Sequence, residues 1–167
     1  MTGTEPSALG PGLVDVTLNG RIRDRPPAAF EAVWERWAEG RPAAPNQWAA
    51  LPEDLRSEWL WLTEKTTGPD RQGGVFHLDG RHVTGAYGLH CALGEAVNGP
   101  GGYYGRCWHS LADCLDGGFG LVPPFTLVWH DFDVAGRSFA DDLLEGKPYA
   151  EAVVERLRHW GITADLR

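Results

Sequence analysis

Apolar and polar positions along the chain alternate between strand-like and helix-like spacing, and the elements they predict come in a regular order. Residues 13–18 (LVDVTL) read as a short strand closed by an Asn19-Gly20 turn. Over residues 27–40, Phe30, Val33, Trp34 and Trp37 share one helical face and Gly40 supplies a stop. A second helix runs from Pro52 to about Leu62, with Leu55, Trp59 and Leu62 on one side and Pro52 near its first turn. Residues 67–74 (TGPDRQGG) have the composition of a linker. A strand over residues 75–78 then meets the Asp79-Gly80 turn, and residues 85–97 form a helix loosened at its start by Gly85 and Gly88. Beyond a Gly/Pro-rich loop, Trp108, Leu111, Ala112 and Leu115 recur at i, i+3, i+4 and i+7, which marks a short amphipathic helix stopped by Gly117-Gly118. The run FTLVW over residues 125–129 predicts a buried strand. A helix over residues 148–159 turns Tyr149, Ala152, Val153 and Leu157 inward, and residues 162–166 close the chain as a strand.

From residue 75 onward the order is strand, helix, loop, helix, strand, short helix, helix, strand. Strands separated by helices favour an α/β fold with a small parallel sheet and helices packed on it. The chain therefore divides into a flexible tail (1–12), an N-terminal extension of one strand and two helices (13–66), a linker (67–74) and an α/β domain (75–167). The extension either packs on the domain or stands as a small accessory unit. Leu18-Asn19-Gly20-Arg21 and Leu78-Asp79-Gly80-Arg81 look alike, but turns of this kind are common and the likeness is read as chance rather than as a repeat. The spacing of Trp34, Trp37, Trp48, Trp59, Trp61, Trp129 and Trp160 favours core packing, while Trp108, at a loop–helix junction, is half exposed.

Charge narrows the partner. Among 167 residues, 23 are acidic and 15 basic, a formal net charge of −8. Such a chain repels phosphates, which disfavours nucleic acid, and it suits a basic protein. No apolar run approaches the length of a membrane span, and the first 15 residues lack the charged and apolar regions of an export signal. Cys91, Cys107 and Cys114 are odd in number and follow no paired metal spacing, as expected of reduced thiols in a cytoplasmic protein.

The candidate chemistry lies in residues 98–117 (NGPGGYYGRCWHSLADCLDG). A glycine-rich loop leads through Tyr103-Tyr104-Gly105 into the short helix, whose outward face carries His109, Asp113 and Asp116 at i, i+4 and i+7. The loop has neither a GK[ST] ending nor GxGxxG spacing, so no nucleotide site is expected. Cys107, His109 and Asp113, with Ser110 and Cys114 nearby, allow a metal- or thiol-dependent enzyme as the alternative. Against it, residues of one short helix do not converge as nucleophile, base and orienter, and zinc ligands usually come as paired knuckles. The stretch reads as a recognition surface that calls for no cofactor.

Tyr103-Tyr104-Gly105 followed by Leu111, Asp113, Cys114 and Leu115 resembles the signature of the barstar family, intracellular inhibitors of secreted ribonucleases, roughly YYG-x-N-x-D-x-L-x-D-C-L. The resemblance extends over residues 75–167. It departs at Cys107, where Asn is usual, and at His109, where Asp is usual. It implies a three-stranded parallel sheet packed with helices, and a non-catalytic protein that binds and occludes a basic guanyl-type microbial ribonuclease. Within that implication Asp113 mimics the substrate phosphate. Tyr103, Tyr104, Gly105, Cys107, Trp108, His109, Ala112, Asp116 and Gly117 complete the partner-binding set, with the tyrosines over the mouth of the nuclease site or one of them packed beneath the loop. A fold of this kind that has lost nuclease binding stays open as a further alternative.

Overall fold

The computed structural model describes residues 3–8, 10–17, 20, 27–64 and 67–167. In chain order these form an antiparallel pair β1 (Gly3–Pro6) and β2 (Val14–Thr17), then α1 (Glu31–Trp37) and α2 (Glu53–Thr63). A two-residue strand β3 (Arg71–Gln72) precedes β4 (Val75–Asp79), α3 (Ala86–Asn98), α4 (Trp108–Asp116), β5 (Leu121–Val122), β6 (Thr126–His130) and α5 (Phe132–Ser138). The chain closes with β7 (Leu143–Leu144), β8 (Lys147–Pro148), α6 (Tyr149–His159) and β9 (Thr163–Leu166). The architecture is the expected one: β4, β6 and β9 form a parallel sheet with β6 in the centre. A central strand meets packing on both sides, which is why Leu127, Val128 and Trp129 are all buried where an edge strand would alternate.

The core does not stop at the linker. Trp48, Leu51, Leu55, Trp59 and Leu60 enter the same apolar cluster as Leu89, Leu93 and Val97 of α3. α2 lies against α3 and also caps it. The N-cap of α3, Gly85, has no side chain, and the Glu53 carboxylate of α2 accepts hydrogen bonds from the Tyr87 N–H (2.6 Å) and the Gly88 N–H (3.4 Å) instead. This meets the unpaired donors of a helix start with a charge that suits its dipole. Arg56, buried next to Glu53, donates to it at 2.9 Å, to Thr84 Oγ1 at 3.0 Å, and to the Leu51 and Ala49 carbonyls. A Cβ on Gly85 would collide with the Glu53 carboxylate, and one on Gly88 would lie 2.8 Å from Arg56 Nη1. These glycines leave room for α2 and do not loosen the helix.

Three further expectations change. Residues 3–6 of the expected tail are a strand, because backbone pairing needs no apolar side chain and so leaves no mark in composition; every residue of β1 and β2 is exposed. The expected linker is tied down: Arg71 and Gln72 pair in parallel with Leu121 and Val122, and the Asp70 carboxylate accepts from the Gly118 N–H (2.7 Å) and the Gly120 N–H (2.9 Å). Trp34 and Trp61 are exposed on the outer faces of α1 and α2, since single helices laid on a domain bury only one side. Asn19 and Arg21, on which the first turn and the internal likeness depend, lie outside the described residues. Among the described residues no helix is long and apolar enough to cross a membrane.

Candidate functional site

The glycine loop is pressed onto the C-terminal half of α3. A Cβ on Gly94 would run into the Gly102 carbonyl oxygen, so this helix residue must lack a side chain for the loop to approach. Asn98 Nδ2, at the end of α3, donates to the Tyr103 carbonyl (2.7 Å) and the Phe119 carbonyl (2.9 Å), clamping the segments before and after α4 together. Glu95 accepts from the Gly101 N–H (3.2 Å) and, across the chain, from the Asn46 N–H (2.8 Å). Burial raises the Glu95 pKa, opposed by these same two hydrogen bonds. Arg41 of the extension donates to the Pro100 carbonyl at 2.7 Å and also to the Asn98 carbonyl. The loop is thus held from behind by groups up to about 60 residues away in sequence. The partners of Arg41 and Glu95 leave no signal in the sequence.

Both tyrosines point inward. Tyr103 is 4% exposed and packs against Phe119 at 5.8 Å between ring centroids. Tyr104 is 1% exposed and its hydroxyl donates to the Leu121 carbonyl at 2.8 Å, while burial pushes its pKa well up. The expectation that they lie over a partner is therefore corrected: their rings are fixed under the loop, where an apolar body with one satisfied hydroxyl is stable. Gly105 has φ +83, and a Cβ there would stand 2.8 Å from the Leu111 N and Cα, so the turn into α4 requires glycine.

α4 starts with Cys107 as N-cap. Ser110 Oγ accepts from the Cys107 N–H (2.9 Å) and the Arg106 N–H (2.8 Å), and Cys107 Sγ lies 3.3 Å from it. Burial raises the Cys107 thiol, but hydrogen bonds from Ser110 and the His109 backbone, with the Arg106 charge, together bring the pKa below its ordinary value. Leu111, Cys114 and Leu115 anchor the inner face, and burial pushes the Cys114 thiol up to about 12. On the outside Cys107, His109, Asp113 and Asp116 are exposed, with Trp108, Ala112 and Gly117 intermediate. Trp108 is held by the Arg156 guanidinium, 4.2 Å from its ring centroid. Among the described residues Asp113 and Asp116 form no hydrogen bond or ion pair, and no three His, Cys, Asp or Glu side chains gather to hold a metal. Cys114 faces the core while Cys107, His109 and Asp113 face solvent, so the helix does not bring the two thiols to one site.

The arrangement is a rigid acidic ledge: a short helix locked into the core on one side and presenting unpaired carboxylates on the other. Residues 74–161 match the family model described as barstar (barnase inhibitor). No curated protein and no solved structure matches the chain.

Proposed function

The chain belongs to the barstar family, and on that premise we propose that it is a non-catalytic inhibitor that binds a basic, guanyl-type microbial ribonuclease and covers its active site. The observation that carries this reading is Asp113, exposed and unpaired among the described residues at the middle of α4. A ribonuclease holds its substrate phosphate with Arg, Lys and His side chains. A carboxylate entering that site accepts charge-assisted hydrogen bonds from them and stands in for the phosphate. Because Leu111, Cys114 and Leu115 fix the helix in the core, the carboxylate loses little freedom on binding. The net charge of −8 favours encounter with a basic partner. Such an inhibitor acts in the cytoplasm, before its nuclease is exported.

Asp116 stands one turn nearer the end of α4 and serves as a rim contact, with Gly117 allowing close approach. His109 and Cys107 occupy positions where the family pattern has acidic and amide side chains, and they adapt this surface to its own nuclease. Tyr103, Tyr104 and Gly105 hold the ledge in place from beneath. Trp108 and Ala112 flank it.

Titration against a panel of guanyl-type ribonucleases, read as inhibition of RNA cleavage, tests the proposal. Asp113→Ala is expected to weaken inhibition by about 30-fold or more, the equivalent of roughly 2 kcal/mol, and Asp116→Ala by only a few-fold. Inhibition should also weaken as salt rises. Equal effects of the two substitutions would remove Asp113 from its role.

A further inference from the structure

The surface beside α4 continues onto a helix outside the family match. α2 buries Leu55, Arg56, Trp59 and Leu60 and turns Asp54, Ser57, Glu58, Trp61 and Glu64 the other way. Arg56, the one basic residue of α2, is buried, so the charges that the described residues of α2 place on that face are carboxylates. Trp61 is 54% exposed. Its ring lies under the Arg106 guanidinium, 3.3 Å from the ring centroid. Arg106 belongs to the hinge between the glycine loop and α4, so this contact joins the outer face of α2 to the first turn of α4. Ser57, Trp61, Tyr87, Arg106 and Cys107 line one cleft of about 180 Å³ between them.

Two residues of this face go against local stability. An indole left in water gains little from burial on folding. Glu64 caps the C-terminal end of α2, where the helix dipole disfavours a carboxylate, and the last turn has no basic residue to offset it. Positions that break local rules in this way are expected where the chain serves a partner. The Trp61 ring is already stacked and so loses little freedom on binding, the property of an aromatic anchor at an interface. The Arg106 guanidinium rests on the indole with one of its terminal nitrogens buried, so it is held in place and partly covered, while Asp54, Glu58 and Glu64 supply the carboxylates of the face.

We propose that the inhibitory surface is composite: the outer face of α2, centred on Trp61 and bounded by Glu64, extends the α4 ledge, and the same basic ribonuclease covers both. This inference rests on the nuclease-binding reading. It gives the extension a direct part in recognition.

The test uses the full-length protein and a panel of catalytically silenced guanyl-type ribonucleases, with affinities and association rates measured for wild type, Asp113→Ala, Trp61→Ala and Glu64→Lys. Trp61→Ala is expected to weaken binding about tenfold or more. Glu64→Lys is expected to slow association several-fold at low salt while leaving the melting temperature unchanged or higher, since a cation suits that helix end. It decides the matter should Trp61→Ala loosen the hinge and lower the melting temperature. If Asp113→Ala weakens binding and both α2 variants bind as wild type does, α2 lies outside the footprint and the composite surface is wrong, while the nuclease reading stands. If no ribonuclease of the panel binds the wild-type protein, both fall together.

Discussion

The extension and the matched domain meet in one core, yet they hold it by different means. The domain has a three-stranded sheet whose central strand is buried on both sides, and helices that cover it. Among the described residues the extension has no sheet against the core. It contributes two short helices and two 3₁₀ turns, Ala28–Phe30 and Gln47–Ala50, and relies on α3 for a surface to pack on. Among the described residues each region also buries one basic side chain. In the extension it is Arg56, met by Glu53, Thr84 and two carbonyls. In the domain it is His90, 0% exposed, with Nε2 2.9 Å from the Tyr149 hydroxyl. One region is stapled by a guanidinium and the other depends on a neutral ring. The difference teaches that the extension is a buttress, holding the back of the loop and the start of α3, while the domain carries the fold.

Removing residues 1–66 breaks the comparison most severely. It strips Trp48, Leu55, Trp59 and Leu60 from the shared core and leaves the buried face of α3 in water. Each large apolar side chain of this kind is worth roughly 2–5 kcal/mol, so their joint loss exceeds the stability of an ordinary domain. The fragment 67–167 is expected to show no cooperative transition by calorimetry. A sharp melt close to that of the whole chain would mean that the domain stands without its buttress.

Acid sharpens the contrast. Burial lowers the His90 pKa to about 4 from an ordinary value near 6.5, with the Gly105 backbone opposing the shift. The unfolded chain therefore takes up this proton at a higher pH than the folded one. The stabilisation is fully present above about pH 6.5 and is lost as pH falls towards 4, by on the order of 3 kcal/mol in all. Denaturant unfolding of wild type and His90→Gln between pH 7 and 4 measures it, and the variant should show a flatter profile over that window.

The smallest expected effect is at the staple itself. Glu53→Ala removes the distant cap of α3 and one partner of Arg56, while the other three partners remain. The cost is about 2 kcal/mol. The loss should appear as faster amide exchange in the first turn of α3, with the sheet strands unaffected. Equal exchange in the variant and wild type would assign the capping to solvent.

Periodicity along the chain was enough for the α/β order after residue 75, for the helices at 31–37, 53–63 and 149–159, and for the split of α4 into an anchored and an exposed face. Those features are local: a side chain's place on a helix follows from its spacing, whatever the rest of the chain does. The outward position of His109, Asp113 and Asp116 was legible for the same reason. Tertiary structure alone decided the rest. Tyr103 and Tyr104 turned inward because Phe119 and the Leu121 carbonyl, beyond α4, lie beneath the loop. Gly85 and Gly88 read as weaknesses in a helix until Glu53 and Arg56 were brought against them. Trp61 read as core because spacing shows that a residue lies on a face but not whether anything covers it. Hydrogen-bond partners 30 to 60 residues apart, such as Glu53 with Tyr87 and Arg41 with Pro100, leave no periodic trace. They form only when the helices have packed, since packing is what brings the donors within reach of the acceptors.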